Sequence, residues 1–171
     1  MRNPGGGGVC GVIPVVYARR PGSASSLSHS RLSGSPNMSG TEGPTSPAPS
    51  VRALLAEDDP TLADALATAL RAHGYEVTVA ADGAAALAVV RAEAFHLVVV
   101  EMLLPNASGF LIAQEVRATH DPTLPIVMLS NSSAIEHRQY ADLLGVNRFL
   151  TKPFDPSVLV AVADLLAPPP R

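Results

Sequence analysis

Residues 96–105 read His-Leu-Val-Val-Val-Glu-Met-Leu-Leu-Pro, and this stretch decides the fold class. The predicted strand His96–Val100 is apolar at consecutive positions, so other elements must cover both of its faces. A strand of this kind is typical of the centre of a parallel sheet that carries helices on both sides. We therefore predict an α/β fold, with the charged residue Glu101 at the carboxyl end of this central strand.

Apolar runs and helical patterns alternate on either side of the central strand. The sequence predicts strands at Val51–Ala56, Tyr75–Ala80, His96–Val100, Pro125–Leu129 and Val146–Thr151. It predicts four helices that each begin after a capping residue: one from Asp59 to His73, one from Asp82 to Ala94, one from Ser108 to His120, and one from Asp155 to about Leu166. It predicts a further helix at Ser132–Leu144. Five β-α units in succession predict a doubly wound parallel sheet of five strands with five helices.

The composition divides the chain into two parts. Residues 1–50 contain 9 Gly, 7 Pro and 10 Ser, a composition too poor in apolar residues to offset the ordering entropy, so we predict a disordered tail. Met38 offers a second start for the reading frame. Residues 51–167 form the predicted domain, and residues 168–171 are a short proline-rich C-terminus, after which we expect no output domain.

Charge and residue counts exclude several classes of protein. The tail carries a net charge of +3 and the remainder −6, and an acidic domain argues against binding nucleic acid. A single cysteine, Cys10, excludes an intramolecular disulfide framework. No run of eighteen apolar residues could span a membrane, and Val9–Ala18 is a poor signal peptide. We expect a cytoplasmic protein.

Side chains that suit phosphoryl chemistry follow the predicted strands, at the edge of the sheet where ligands bind in this class of fold. Glu57, Asp58 and Asp59 follow the first strand, and Glu101 follows the third. The other two are Ser130, which follows the fourth strand, and Lys152, the only lysine of the chain, which follows the fifth. Carboxylates suit a hard cation such as Mg²⁺, whereas an ammonium and a hydroxyl suit phosphoryl oxygens.

Six short motifs in one register resemble a response regulator receiver domain, over essentially all of residues 51–166. They are Ala-Glu57-Asp58-Asp59-Pro, His-Gly74-Tyr75, Ala81-Asp82-Gly83, Val-Val-Glu101-Met-Leu-Leu-Pro105, Gly109-Phe110 and Phe149-Leu-Thr-Lys152-Pro153-Phe154. The resemblance implies a flavodoxin-like sheet with strand order 2-1-3-4-5. It also implies a role in a two-component phosphorelay, with a sensor kinase or an output protein as partner.

The resemblance also implies roles for single residues. Mg²⁺ would be held by Glu57, Asp58, the residue at position 101 and the backbone carbonyl of Leu103. Ser130 and Lys152 would contact the phosphoryl group, and Phe149 would swing inward on activation. The bond between Lys152 and Pro153 would be cis, an isomer nearly restricted to bonds that precede proline.

The main departure from the family lies at the phosphoacceptor, where the family has Asp and this chain has Glu101. Glutamate is longer by one methylene, and a misplacement near 1 Å can cost about a hundredfold in rate. The longer side chain could pair with Lys152 and accept a hydrogen bond from Ser130. Two further departures are Asn131, where the family has a small residue, and Ser108, where it has an acidic one.

Plainer interpretations exist for each of these residues. Asp59 is best explained as a helix cap, and Lys152 could form a structural ion pair with the acidic residues. An aromatic residue such as Phe149 is most often core packing. The five histidines show no metal-ligand spacing, and we interpret them as surface or helix-end residues.

The last predicted helix is unusually apolar for the outer layer of such a fold. Val158, Val160, Val162 and Leu165 cannot all face the sheet, and a helix that is apolar nearly all round is usually covered. We therefore predict a contact face on the fourth helix, fifth strand and fifth helix, which a homodimer could use. The alternative is a surface of low charge that is merely tolerated.

These observations favour a stand-alone atypical receiver that binds proteins, is not an enzyme and does not depend on phosphorylation. A receiver that still accepts phosphate is the alternative mechanism. A small flavodoxin-like enzyme or flavin-binding protein is a further alternative, although the acidic loop after the first strand would repel a phosphate. A decayed adaptor would have no affinity for Mg²⁺.

Overall fold

Strands and helices alternate along residues 50–170, the part of the chain that this computed structural model describes. The elements are β1 (Val51–Ala56), α1 (Pro60–Ala72), β2 (Tyr75–Ala80), α2 (Gly83–Ala92), β3 (Leu97–Glu101), α3 (Gly109–Thr119), β4 (Ile126–Ser130), α4 (Ile135–Leu143), β5 (Arg148–Thr151) and α5 (Pro156–Leu166). Apart from Ser50, the predicted disordered tail lies outside the described residues, as does Met38. No helix in the described range is long and apolar enough to cross a membrane.

The five strands form one parallel sheet in the order β2-β1-β3-β4-β5, which confirms the predicted fold. All residues of β3 and β4 are buried, as the unbroken valine run of β3 predicts. The chain therefore winds outward from the centre in both directions, and the carboxyl ends of all five strands meet at one edge of the sheet.

The sheet separates two layers of hydrophobic core. On one face, alternate strand residues such as Leu54 and Val98 pack with the buried sides of α2, α3 and α4. On the other face, Leu55 and Val99 pack with α1 and α5. Because neighbouring residues of a strand point to opposite faces, a run such as Leu97–Val100 supplies both layers at once.

Four of the predicted helix caps are present in the structure. Asp59, Asp82, Ser108 and Asp155 each accept hydrogen bonds from backbone N–H groups in the first turn of α1, α2, α3 and α5 respectively. Most ends of the elements differ from the prediction by one or two residues. The shift matters at β3 and β4, since it makes Glu101 and Ser130 the last residues of these strands.

The start of α4 was predicted wrongly. The predicted helix begins at Ser132, whereas the observed helix begins at Ile135 after Ala134, which provides no side-chain cap. The N–H of Ser132 donates to Ser130 Oγ (3.0 Å), and Ser132 Oγ accepts from the N–H of Ala134 (3.2 Å). These local bonds hold the segment as a turn, and such bonds compete with helix formation.

Gly109 brings the start of α3 into close contact with the end of β3. Its N–H donates to the carbonyl of Met102 (2.9 Å). A Cβ atom at position 109 would lie 2.3 Å from the carbonyl oxygen of Glu101, closer than two such atoms can approach. The absence of a side chain therefore lets α3 begin directly beside Glu101.

We expect Gly109→Ala to lower the free energy of unfolding by about 2 kcal/mol, because the backbone must shift to admit the methyl group. Helix propensity alone predicts the opposite sign, since alanine is the better helix former. Urea unfolding measures the difference. Ala118→Gly, at an exposed position of the same helix, is the matched control and should cost no more than about 1 kcal/mol. A Gly109→Ala variant as stable as the wild type would contradict the close approach.

Candidate functional site

Four polar or charged side chains meet at the carboxyl edge of the sheet. Glu101 and Ser130 end β3 and β4, while Glu57 and Lys152 directly follow β1 and β5. The backbone N–H of Glu57 donates to Ala80 (3.1 Å), and that of Lys152 donates to Ser130 (2.7 Å), so backbone hydrogen bonding continues beyond the strands. These bonds fix the positions from which the charged side chains extend.

The ammonium group of Lys152 lies between two buried carboxylates. Lys152 Nζ is 2.7 Å from Glu57 Oε2 and is also in direct contact with Glu101 Oε2. Glu57 is only 1% exposed and Glu101 only 3% exposed, and the lysine side chain is 11% exposed. One positive charge therefore compensates two negative charges in a space that water scarcely reaches.

The two contacts of Lys152 differ in quality. The contact with Glu57 is a directed hydrogen bond. Glu101 Oε2 is equally buried, but it is in ion-pair contact with the ammonium without a directed hydrogen bond from any described residue. Glu101 Oε2 is therefore held by its ion pair with Lys152, whereas Glu57 Oε2 also receives a directed hydrogen bond.

Burial and the neighbouring charges shift the pKa values of Glu101 and Lys152. Burial raises the pKa of Glu101, as does the charge of Glu57, while Lys152 and the backbone N–H of Leu103 oppose the rise. Burial lowers the pKa of Lys152, but its close contacts and charge interactions with Glu101 and Glu57 outweigh this effect, and the pKa of Lys152 is raised overall. Lys152 is therefore a fully charged ammonium at neutral pH.

Ser130 lies at the predicted edge, but its hydroxyl bonds to other groups. It is fully buried, its Oγ is 3.6 Å from Met102 Sδ, and it accepts from the N–H of Ser132. Among residues 50–170 no hydrogen bond joins Ser130 Oγ to Glu101, so the bond considered from the sequence is not formed. The contact with Met102 was not predicted from the sequence, because a methionine beside a strand end looks like ordinary core.

The acidic residues after β1 take three different positions. Glu57 is buried, and Asp58 is exposed. Asp59 accepts from the N–H groups of Thr61 (2.9 Å) and Leu62 (3.2 Å), which confirms that it is the N-cap of α1. Only Glu57 of the three therefore reaches Lys152.

The remaining predicted residues lie around this centre. Leu103 is 68% exposed and directs its N–H at the Glu101 carboxylate. Asn131 is exposed and forms no hydrogen bond with Glu101 within the described range. Phe149 is half-buried against the core, and the Arg138 guanidinium lies 5.5 Å from the centre of its ring, a contact that was not predicted from the sequence. The Lys152–Pro153 bond is cis, as the resemblance implied.

The arrangement does not fit a divalent cation as it stands. No group of three or more His, Cys, Asp and Glu side chains among the described residues is placed to hold a metal ion. Glu57 and Glu101 direct their oxygens at the lysine ammonium, and Asp58 is exposed to solvent. The carboxylates of Glu57 and Glu101, which a cation would bind, are already paired with the ammonium of Lys152.

Comparison with known proteins identifies the family. A model of the response regulator receiver domain matches residues 53–164, more than half of the chain. The chain belongs to the response regulator receiver domain family.

Two curated relatives and two solved structures illustrate the similarity. The chain is 35% identical over 104 residues to the probable transcriptional regulatory protein TcrX of Mycobacterium tuberculosis, covering 61% of this chain and 44% of that protein. It is 36% identical over 110 residues to the DNA-binding response regulator MtrA of Mycolicibacterium smegmatis, covering 64% and 47%. The chain thus spans less than half the length of these relatives.

Two solved structures share the fold of this chain. The chemotaxis response regulator CheY4 of Vibrio cholerae gives a TM-score of 0.65 at 28% identity, covering 69% of this chain and 99% of that one. The receiver domain of the sensor histidine kinase PA1611 of Pseudomonas aeruginosa, solved with a magnesium ion coordinated in its active-site cleft, gives 0.63 at 27% identity, covering 70% and 98%.

We expect Lys152→Met to destabilise the domain by about 3 kcal/mol near neutral pH, because two buried carboxylates lose their counter-charge. The raised pKa of Glu101 means that the folded state holds this proton more tightly than the unfolded chain does. The stability that protonation of Glu101 contributes is therefore fully present below pH 4.5, the ordinary pKa of a glutamate, and is lost as the pH rises through the raised pKa of Glu101. The deficit of Lys152→Met should shrink as the pH falls from neutral towards that value, as urea unfolding at several pH values would measure.

The double variant Lys152→Met with Glu101→Gln is the control for this effect. Removing one of the two carboxylates should recover part of the lost stability and remove much of the pH dependence, because the neutral amide does not titrate. A deficit of equal size at neutral pH and at about pH 5 would contradict the assignment of the effect to Glu101.

Proposed function

We propose that this chain is an atypical receiver that acts through protein–protein contacts and independently of phosphorylation. One observation carries the proposal: the carboxylate at the position of the family's phosphoacceptor is that of Glu101, which is 3% exposed and paired with Lys152. An acceptor oxygen must attack phosphorus while the donor's leaving group departs on the opposite side. A buried carboxylate already held by an ammonium is poorly placed for that attack.

The length of the side chain adds to this difficulty. Glutamate carries its carboxylate one carbon–carbon bond farther from the backbone than aspartate, and a misplacement near 1 Å can cost about a hundredfold in rate. The serine hydroxyl that would assist, Ser130, is bonded to Met102 and Ser132. Geometry and partners therefore both favour slow phosphorylation.

Glu101 is also a poor substitute for a phosphorylated residue. A phosphoryl group carries about −1.5 to −2 charges and three acceptor oxygens, whereas a carboxylate carries one charge and two oxygens. Here that single charge is compensated by Lys152. We infer that the domain stays in one state and serves as a scaffold.

The proposal extends to the partners and the organisation of the chain. A sensor kinase or an output protein is the expected partner, in the cytoplasm, and the role is not enzymatic. The relatives are named as regulators, which supports signalling. Residues 51–167 would form the receiver.

The flavin-binding alternative is not supported by the loop after β1. A phosphate-binding loop needs free N–H groups at the start of the following helix. In this chain the Asp59 carboxylate already accepts from the N–H groups of Thr61 and Leu62. A receiver that still accepts phosphate is therefore the alternative that requires an experiment.

We expect Glu101→Asp to take up phosphate from acetyl phosphate in the presence of Mg²⁺ at least about a hundredfold faster than the wild type, because the shorter side chain restores the family's acceptor geometry. Intact-mass measurement over time would follow the gain of one phosphoryl group. Glu101→Asn is the matched control, since it has the length of aspartate without a nucleophilic carboxylate. Rapid and stable labelling of the wild type at Glu101 would overturn the proposal.

A second proposal concerns the face formed by α4, β5 and α5, which we propose is a contact face of a homodimer. Val158 and Leu165 lie seven residues apart on α5 and are 42% and 70% exposed, while Val160 is buried. Leu143 on α4 is 83% exposed. Exposed aliphatic side chains at helical spacing form an apolar stripe that burial against a second copy would stabilise.

We expect the wild type to sediment as a dimer at tens of micromolar, and Leu165→Glu to sediment as a monomer, because a carboxylate cannot be buried unpaired at the interface. Leu111→Glu is the control, since Leu111 is 45% exposed on α3, outside this face. A wild type that remains strictly monomeric in this range, or an equal effect of both substitutions, would exclude the proposed dimer.

A further inference from the structure

We propose that a cavity at the amino edge of the sheet binds a small cationic amphiphile, an aromatic ring that carries an ammonium group on a short chain. The cavity, which we call the amino-edge cavity, has a volume of about 570 Å³, within the range of ligand pockets in proteins. It is lined by residues 51, 94–96, 120–121, 123–125 and 166–168. The inference goes beyond the proposed function, because this edge of the sheet is opposite to the edge that carries Glu101.

The apolar part of the lining joins both layers of the hydrophobic core. Phe95 and Leu124, which are 7% and 6% exposed, belong to the layer on the side of α2, α3 and α4. Val51 and Leu166 pack against the layer on the side of α1 and α5. An aromatic ring in the cavity would therefore cover apolar surface from both layers, which the hydrophobic effect favours.

Two arginine side chains hold the loops that form the walls of the amino-edge cavity. Arg52 Nη1 donates to the carbonyl of Ala94 (3.0 Å), and Arg117 Nη1 donates to the carbonyl of Leu124 (2.7 Å). The backbone N–H of His96 also donates to the carbonyl of Arg52 (2.8 Å). The walls are therefore in place before a ligand arrives, and binding does not require these loops to become ordered.

The ends of three helices favour a cation in this cavity. Helices α2, α3 and α5 all end at the amino edge, and Leu166, the last residue of α5, is part of the lining. The C-terminus of a helix carries a partial negative charge of about half an elementary charge. None of the described residues that line the cavity is a lysine or an arginine, and Asp121 adds a full negative charge. An anionic ligand such as a phosphate would therefore be repelled.

The two arginines behind the walls are occupied by other partners. The guanidinium of Arg52 is in ion-pair contact with Glu93. Arg117, in the last turn of α3, also donates to the carbonyl of Gly145 (2.6 Å) and to Asn147 Oδ1 (3.3 Å). Neither side chain lines the cavity, so neither offers a counter-charge to an anion inside it.

Hydrogen bonds determine which ring atoms of the two lining histidines remain for a ligand. His96 Nδ1 accepts from the backbone N–H of Arg52 (3.0 Å), so the ring proton is on Nε2. His120 Nε2 is 2.7 Å from the carbonyl of Val90, and a carbonyl only accepts, so this nitrogen carries the proton. The neutral ring of His120 therefore keeps its Nδ1 as an acceptor.

Asp121 provides the charged partner for the ammonium. Its Oδ1 accepts from the hydroxyl (2.6 Å) and the backbone N–H (2.7 Å) of Thr123, and these bonds lower the pKa of the carboxyl group. Its Oδ2 receives no hydrogen bond from a residue in the described range, and the side chain is exposed. An ammonium has three N–H donors, so it can donate to Oδ2 while its ring lies against the apolar lining.

The test compares three probes with the same aromatic body and different charge: phenethylammonium, phenethyl alcohol and hydrocinnamate. Each is added to the isotope-labelled full chain at up to about 5 mM, at neutral pH and constant ionic strength, and the backbone amide signals are followed by NMR. Phenethylammonium should bind saturably with a Kd at or below about 1 mM, and the signals of His96, Leu124 and Ala167 should shift. The alcohol should bind about threefold more weakly, because it forms no ion pair. Hydrocinnamate should bind about tenfold more weakly, because the sign of the interaction reverses.

Three variants assign the binding to the amino-edge cavity. Asp121→Asn keeps an oxygen for Thr123 and removes the charge, so it should weaken phenethylammonium about threefold and leave the alcohol unchanged. Asp142→Asn, at an exposed acidic residue of α4, makes the same change of net charge away from the cavity and should alter neither affinity. Ala94→Trp, at an exposed position of the lining, should fill the cavity and abolish binding of both probes.

Three results would overturn the inference. The first is a wild type whose amide signals around the cavity do not shift saturably with phenethylammonium. The second is equal affinity for phenethylammonium and hydrocinnamate. The third is an equal loss of affinity in Asp121→Asn and Asp142→Asn, since this would show general attraction to an acidic domain instead of a site.

Discussion

The ammonium of Lys152 between two buried carboxylates is the interaction on which the carboxyl edge of the sheet depends. Glu57 and Glu101 are almost fully buried, and both carboxylates pair with this one positive charge. Because the three side chains come from the ends of β1, β3 and β5, the interaction requires these strand ends to stay in register. Strand β4 lies between β3 and β5 and ends at the buried Ser130, whose carbonyl accepts from the backbone N–H of Lys152 (2.7 Å).

The fold was largely predictable from the sequence, because its determinants are local. The valine run of β3 requires cover on both faces, and the caps Asp59, Asp82, Ser108 and Asp155 mark where helices begin. The start of α4 was not predictable from the same rules. Ser132 could cap a helix or close a turn, and the choice depends on the nearby Ser130 hydroxyl, which only the folded chain provides.

The site was predictable in composition but not in its bonding. Strand ends of a parallel sheet converge, so Glu57, Glu101 and Lys152 were expected to meet. The contact of Ser130 with Met102 was not expected, since the sequence does not distinguish a methionine that contacts the site from one that packs in the core. The exposure of Asp58 beside a buried neighbour also depends on the turn into α1, which sequence spacing does not fix. Proteins that share this fold can therefore differ in the chemistry of the site, which depends on the individual side chains.

Helix α4 is held to the domain less firmly than the other helices described. Its only buried residue is Ala141, its first turn lacks a side-chain cap, and much of its attachment comes from aromatic and cation–π contacts of Tyr140 and Arg138. Local opening costs least where few apolar contacts are lost. The backbone amides of α4 should therefore exchange with solvent hydrogen sooner than those of the flanking strands, and a protein that binds this helix would meet a surface that can reshape on contact.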